Sequence, residues 1–154
     1  MSRKTLVIMV TGINLSGLAE RNTMYQPPEG RQYTNQEIID RVWDFFITQG
    51  NPQSNSTEVH SQCMYAHPKV EDGGCAVGCL LSYEEAKEWD KVPKDYLYGT
   101  GIAHFYHNHY EMYSKHFTKE QYEFLNDLQN WHDYRFSVDT LKDIIQIYDL
   151  TVPE

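Results

Sequence analysis

Residues 34–50 read TNQEIIDRVWDFFITQG, and this stretch decides the fold class. Thr34 and Glu37 have the spacing of a capping box, in which each side chain satisfies the backbone N–H of the other residue at a helix start. The apolar residues that follow recur at helical spacing, so one face of the segment suits a core. Gly50 is typical of a helix end. The stretch therefore predicts an amphipathic helix.

Further helices are marked by hydroxyl side chains, two of them within capping boxes. They are Ser82, Thr118 and Ser137. Residues 102–116 carry isoleucine and aromatic side chains along one helical face. Residues 75–81, CAVGCLL, are apolar and mostly small, and they predict a short buried helical segment although glycine is a poor helix former. In total the sequence predicts about five helices.

Two stretches favour β-structure. Residues 5–10, TLVIMV, are largely β-branched and are followed by Thr-Gly. Residues 59–65 precede a Glu-Asp-Gly-Gly turn at residues 71–74. We therefore predict an α+β fold that is predominantly helical, with one short strand or hairpin element. The predicted domain organisation is an N-terminal strand and arm over residues 1–33 and a helical core domain over residues 34–154.

Composition and charge exclude some partners and favour others. Among 154 residues, 22 acidic and 13 basic residues give a net charge of −9, which disfavours general nucleic-acid binding through phosphates. No apolar run reaches the roughly 18 residues of a membrane helix, so no membrane association is expected. Three cysteines are too few for a disulfide framework and favour the cytoplasm. Twelve tyrosines suit a contact surface, with a host protein or a second copy of the chain as the partner.

Cysteine and histidine residues form the first group with ligand chemistry. His60-x-x-Cys63 and Cys75-x-x-x-Cys79 are two closely spaced pairs separated by a turn, as a structural zinc site requires, although the spacing matches no standard zinc finger. The alternative is a set of buried thiols that pack as small apolar groups. The apolar sequence around Cys75 favours that alternative, so no cofactor is expected and zinc stays open.

Cys75 is also a candidate nucleophile. It follows a Gly-Gly pair, and a cysteine at a helix N-terminus has a lowered thiol pKa. His132 and Asp133 would then supply an acid/base pair, with His104 as another base. The alternative for His132 is a histidine near a helix C-terminus, where the helix dipole favours it.

A second metal candidate lies in residues 102–116. His104, His107 and Glu111 share one stripe if this segment is a continuous helix, and such a stripe is the arrangement that a metal-binding face needs. The alternative is a polar helix face opposite the aromatic side chains.

The loop from residue 91 to residue 100 has the groups that a nucleotide ligand uses. Lys94 supplies a cation, Tyr96 and Tyr98 supply stacking rings, and Thr100 lies between two glycines whose backbone can approach a phosphate. The alternative is a solvated loop whose tyrosines cover the core.

Several short motifs between residues 34 and 150 resemble a family of uncharacterised phage and bacterial proteins. The motifs are Cys63-Met64-Tyr65, Cys75-Ala76-Val77-Gly78, Leu125-Asn126-Asp127-Leu128-Gln129 and His132-Asp133. The resemblance brings no established activity. It implies an accessory factor, a class that includes proteins that blunt host defences.

We therefore expect a non-enzymatic phage-type accessory protein that acts in the host cytoplasm. It would bind a host factor to counteract it, or sequester a host signalling nucleotide. The alternative expectation is a small metal-dependent or cysteine-dependent hydrolase that uses the residues above.

Overall fold

The computed structural model describes residues 24–54, 64–93 and 101–154. The α-helices in these ranges are α1 (Asn35–Trp43), α2 (Tyr83–Lys91), α3 (Ile102–Asn108), α4 (Tyr110–Ser114), α5 (Tyr122–Tyr134) and α6 (Val138–Ile147). A π-helical turn, Asp44–Thr48, extends α1, and 3-10 turns at Gly78–Leu80 and Lys119–Gln121 precede α2 and α5. None of the helices described here has the length and apolar character needed to cross a bilayer.

The predicted α+β class is wrong, because the described residues form helices and contain no strand. Residues 5–10 and 59–63 lie outside the described ranges. The described end of the second predicted strand forms no ladder, since the N–H groups of Tyr65 and Ala66 donate to the Asp90 carboxylate at 2.9 and 2.8 Å. A side chain of α2 thus takes the bonds that a neighbouring strand would otherwise take. The described part of the chain is all-α.

The helix starts lie where the hydroxyl side chains predict them. Thr34 and Glu37 form the capping box of α1, with bonds of 3.2 and 2.9 Å. Thr118 forms the second box at the turn that leads into α5. Ser82 and Ser137 accept backbone N–H bonds at the starts of α2 and α6, but the capping box predicted at Ser82 is only half formed because the Glu85 carboxylate bonds His116. Local hydrogen bonding therefore fixes where these helices begin.

The helix predicted over residues 102–116 is divided into α3 and α4. His109 leaves helical geometry, with φ −136° and ψ 55°. Its carbonyl oxygen accepts the N–H groups of both Met112 and Tyr113, so a new helical turn starts there. The break changes which side chains share a face on its two sides. It accounts for six α-helices in the described ranges where the sequence predicts about five helices.

The core is rich in aromatic side chains. Trp89 stacks on Phe105 with ring centroids 4.1 Å apart, and Trp131 packs edge-on against Phe46 at 5.6 Å. All three tryptophans are buried, the most exposed being Trp43 at 9%. This core joins α1, α2, α3 and α5.

The residues that precede α1 pack onto the helices. Tyr33 is 3% exposed and its ring stacks on Phe117 at 5.7 Å. Its hydroxyl donates to the Leu80 carbonyl, and its own N–H donates to the His116 carbonyl at 2.9 Å. Tyr25 donates its hydroxyl to that of Tyr33 at 2.6 Å. Residues 24–33 therefore contribute side chains to the same core as the helices.

Candidate functional site

Several motif residues of the family resemblance meet in one buried network between α5 and residues 75–80. The side chain of Gln129 accepts the Val77 N–H at 3.3 Å and donates to Asp133 Oδ1 at 3.2 Å. The same carboxylate oxygen accepts a hydrogen bond from His132 Nδ1 at 2.7 Å. The network thus attaches the apolar Cys-Ala-Val-Gly turn to the end of α5.

His132 is held as a structural residue. Its side chain is fully buried, and the Ser54 N–H donates to its Nε2 at 2.9 Å. Because Nε2 accepts a hydrogen bond, the ring proton lies on Nδ1 and is donated to Asp133. Both ring nitrogens are therefore in use, and neither is directed to a substrate in this arrangement.

The two described cysteines are buried and unoxidised. Cys75 Sγ accepts the Gly78 N–H at 3.4 Å and shares no hydrogen bond with His132, both within the described residues. The Cys79 thiol donates to a backbone carbonyl at 3.3 Å, and burial raises the pKa of this thiol to about 12. A buried, protonated thiol such as Cys79 is inert as a nucleophile.

Two glycines explain how this turn packs so closely. A Cβ atom at Gly74 would lie 1.8 Å from the Tyr65 carbonyl oxygen, and one at Gly78 would lie 1.9 Å from it. No side chain fits at either position. The glycine that weakens helix propensity at residue 78 is therefore required by close backbone approach.

The proposed metal stripe is interrupted by the helix break. His104 is buried, whereas His107 and Glu111 are exposed, and Glu111 lies beyond the break at His109 in α4. Among the side chains that the structure describes, no group of three His, Cys, Asp or Glu residues has a geometry that could hold a metal ion. The assignment of these residues to a metal stays a prediction.

Several other sequence candidates lie outside the described ranges. They are His60, Cys63, Lys94, Tyr96, Tyr98 and Thr100. His67, which lies in the sequence between the two predicted zinc-ligand pairs, is described. Its Nδ1 accepts the N–H groups of Lys69 and Val70 at 3.0 and 3.1 Å, and its Nε2 bonds the Pro52 carbonyl at 3.0 Å. Burial lowers the pKa of His67. This histidine therefore supports a turn.

A cavity of about 740 Å³, here named the arm cavity, opens beside the segment that precedes α1. Residues 26–32 form one wall, and the others are formed by Ser82, Glu85, Lys115 and His116. These groups come from three distant parts of the sequence. Ser82 is predicted only as a helix start, and no local pattern predicts that these three segments meet, so the sequence does not predict this site.

The arm cavity contains a carboxylate that is held by two basic side chains. His116 Nε2 lies 2.8 Å from Glu85 Oε1, and Lys115 Nζ lies 3.6 Å from Glu85 Oε2. Burial acts to raise the pKa of Glu85, but the hydrogen bond from His116 and the charges of both neighbours outweigh it and lower the pKa. Glu85 is therefore ionised at neutral pH.

A groove of about 560 Å³ runs between α5 and α6 and is here named the helix groove. Its apolar lining includes Trp131 and Tyr134 from α5 and Ile144 and Ile147 from α6. Tyr134 is 81% exposed and Ile147 is 75% exposed. Two large apolar side chains thus stand in solvent beside one groove.

Comparison with protein-family models, curated proteins and solved structures finds no significant match to this chain.

Proposed function

We propose that this protein is a non-enzymatic accessory protein of the phage type that binds a host protein in the host cytoplasm through the helix groove. The exposure of Tyr134 and Ile147 carries this proposal. Large apolar side chains rimmed by polar groups are characteristic of protein-binding surfaces. Tyrosine in particular combines a wide contact area with a polar tip, which suits an interface.

The groove has the form that receives a helix. On α5 its lining residues are Asp127, Asn130, Trp131 and Tyr134, and on α6 they are Thr140, Asp143, Ile144 and Ile147. Each set follows the three-and-four spacing of one helical face. Two such faces side by side leave a furrow into which the apolar stripe of a third helix can pack. The expected partner segment is an amphipathic helix.

Charge indicates the polar part of that segment. Asp127 and Asp143 line the groove, with Arg135 as its one lining cation. The chain as a whole carries a net charge of −9. Basic residues beside the apolar stripe of the partner helix would match the two carboxylates and increase the association rate.

The chemistry of the buried residues supports binding over catalysis. The two ring nitrogens of His132 are engaged by Ser54 and Asp133, and the candidate nucleophile Cys75 is fully buried, with its sulfur accepting the Gly78 N–H. In the described residues, the polar groups of the motif thus serve to hold the fold together.

The test combines site-directed crosslinking with a matched binding measurement. A photoreactive phenylalanine analogue replaces Tyr134 in one sample and exposed Tyr110 in α4 in another, and the adducts formed in bacterial cells are identified. The purified partner is then titrated with wild type, with a Tyr134→Asp/Ile147→Asp variant and with Val152→Asp. We expect binding by the groove variant to be at least about tenfold weaker, a loss of about 1.4 kcal/mol.

Val152 is 40% exposed and lies outside the groove, so its substitution controls for the added charge. Equal adducts from both crosslinking positions, or equal affinities for the groove and control variants, would contradict the proposed surface.

A further inference from the structure

Apart from the helix groove, we propose that residues 52–54 form an acid-sensitive strap, which His67 and His132 hold in place at neutral pH and release when they are protonated. The strap is bonded on one side to the turn that begins at His67 and on the other side to α5. This device goes beyond partner binding, because it needs neither a ligand nor a partner.

Both histidines bond the strap directly. His132 Nε2 accepts the Ser54 N–H at 2.9 Å, and the His132 carbonyl accepts the Gln53 side-chain amide. His67 Nε2 lies 3.0 Å from the Pro52 carbonyl oxygen. Ser54 is fully buried, so its N–H needs an acceptor within the protein. Each residue of the strap thus has a hydrogen bond to one of the two histidines.

Backbone groups fix the protonation state of both rings. A backbone N–H can only donate, so His132 Nε2 and His67 Nδ1 carry no proton. His67 Nδ1 accepts two such groups, from Lys69 at 3.0 Å and from Val70 at 3.1 Å. A backbone carbonyl can only accept, so the proton of the His67 ring lies on Nε2 and is donated to Pro52. Both rings are therefore neutral in this arrangement.

A second ring proton places two donors face to face at each histidine. At His132 the proton would lie on Nε2 and oppose the Ser54 N–H. At His67 it would lie on Nδ1 and oppose the two N–H groups of residues 69–70. Turning the His67 ring away from these donors also carries Nε2 away from the Pro52 carbonyl. Acid therefore weakens the bonds that both rings make to the strap.

The surroundings of His132 determine which of its contacts is lost. The Asp133 carboxylate bonds His132 Nδ1 at 2.7 Å and stabilises a positive charge on the ring, so the cost of the second proton falls on Ser54. The side chains of Phe46 and Phe136 pack against the same ring and carry no charge. The strap is thus the side that gives way.

The surroundings of His67 make its charged form unfavourable in the closed strap. Burial lowers the pKa of His67 from its ordinary value of 6.5, and positive charge on His132 and Lys69 acts in the same direction, although the Pro52 carbonyl opposes it. A ring that is harder to protonate in the closed state than in the open state takes up its proton on opening. Opening therefore becomes more favourable below about pH 6.5, by up to about tenfold for each pH unit and each ring.

Amide hydrogen exchange of the full chain tests the strap in wild type. The amides of Ser54, Lys69 and Val70 are the reporters, because their acceptors are the two histidine rings. After correction for the intrinsic exchange rate, we expect the protection of these three amides to fall about tenfold between pH 7 and pH 5.5.

The same turn region supplies the internal control. The amides of Tyr65 and Ala66 have the Asp90 carboxylate as their acceptor, so their protection should change by less than about threefold over this range. Amides inside α5 should also keep their protection. An equal fall at the reporters and at these controls would mean general loosening of the fold and would overturn the proposal.

Substitution of one ring separates its effect from that of the other. His67→Asn keeps an acceptor for the N–H groups two and three residues further on, as asparagine does in turns, but it does not titrate. We expect the pH dependence at Lys69 and Val70 to be lost in this variant, while that at Ser54 persists. His107→Asn, which replaces an exposed histidine of α3, should leave all three amides as in wild type.

Persistence of the full pH dependence at residues 69–70 in His67→Asn would overturn the assignment to the His67 ring. If that variant does not fold, the wild-type comparison of reporter and control amides decides the proposal by itself.

Discussion

The carbonyl oxygen of Tyr65 occupies the space where a side chain at Gly74 or Gly78 would begin. A Gly78→Ala substitution must push the backbone of residue 65 away from a turn that the Gln129 side chain holds in place. We expect it to lower the free energy of unfolding by about 3 kcal/mol or more, as severe overpacking does. Urea unfolding followed by circular dichroism measures the change.

Gly101 gives the matched control for that substitution. A Cβ atom there has no neighbour within 4 Å among the residues that the structure describes, and the backbone is in an extended region that alanine accepts. Gly101→Ala should change the free energy of unfolding by less than about 1 kcal/mol. Similar losses in the two variants would mean that contact with Tyr65 is not the cause.

Glu37 gives an acid-range prediction. The hydrogen bonds from Arg31 lower its pKa to about 2 in the folded state, from an ordinary value of 4.5. Because the pKa of Glu37 is lower in the folded state than in the unfolded state, the ionised carboxylate stabilises the protein above pH 4.5. That contribution to stability is lost as the pH falls toward 2. The difference in unfolding free energy between wild type and Glu37→Gln should be about 1 kcal/mol at most at pH 6 and should shrink at pH 2.5.

The control for Glu37 is Glu120→Gln, which removes an exposed carboxylate that takes part in no described ion pair. Its difference from wild type should depend less on pH. A Glu37→Gln difference that is the same at both pH values would exclude the Arg31 pair as a source of stability.

The last turn of α2 stabilises the chain segment ahead of the Gly-Gly turn. Asp90 accepts the N–H groups of both Tyr65 and Ala66, and these donors are buried. Asp90→Ala leaves both without an acceptor and should cost about 2–3 kcal/mol in thermal or urea unfolding. Glu88→Ala, which removes only a surface pair with Lys91, should cost less than about 1 kcal/mol. If Asp90→Ala costs no more than Glu88→Ala, the two N–H groups must find other partners.

How far the elements follow from the sequence depends on the range of the interactions that form them. The capping box of Thr34 and Glu37 lies within one helical turn, so the sequence predicts it. The bonds from residues 65 and 66 to Asp90 join groups that are 25 and 24 residues apart, so no local sequence pattern reveals them. The helix break at His109 has no glycine or proline to mark it.

At the scale of the whole molecule, the helix groove and the arm cavity also differ in how far the sequence predicts them. The three-and-four spacing that puts Tyr134 on one face of α5 and Ile147 on one face of α6 is visible in the sequence. Whether these two side chains are exposed depends on what packs over them. The arm cavity joins residues 26–32 to Glu85 and His116 across three segments. Tertiary packing alone brings these together, so sequence periodicity could not predict the cavity.

The segment before α1 should be essential to the whole fold. Tyr33→Ala removes a ring that is 3% exposed and stacked on Phe117, and we expect a loss of about 3 kcal/mol or more in unfolding free energy. Tyr33→Phe keeps the ring and loses only the hydrogen bonds to Tyr25 and Leu80, so it should cost about 1 kcal/mol.

Tyr134→Ala is the matched control for Tyr33→Ala, because it removes the same side chain from an 81% exposed position. It should change stability by less than about 0.5 kcal/mol. A Tyr33→Ala variant as stable as Tyr134→Ala would show that residues 24–33 are dispensable to the helices.

The burial of Trp43, Trp89 and Trp131 makes the unmodified chain its own optical reporter. Their fluorescence should be blue-shifted and poorly quenched by acrylamide while the protein is folded, and both properties should change on unfolding. The three indoles lie on α1, α2 and α5. Variants that keep one tryptophan at a time would therefore report separately on whether these three helices leave the core together.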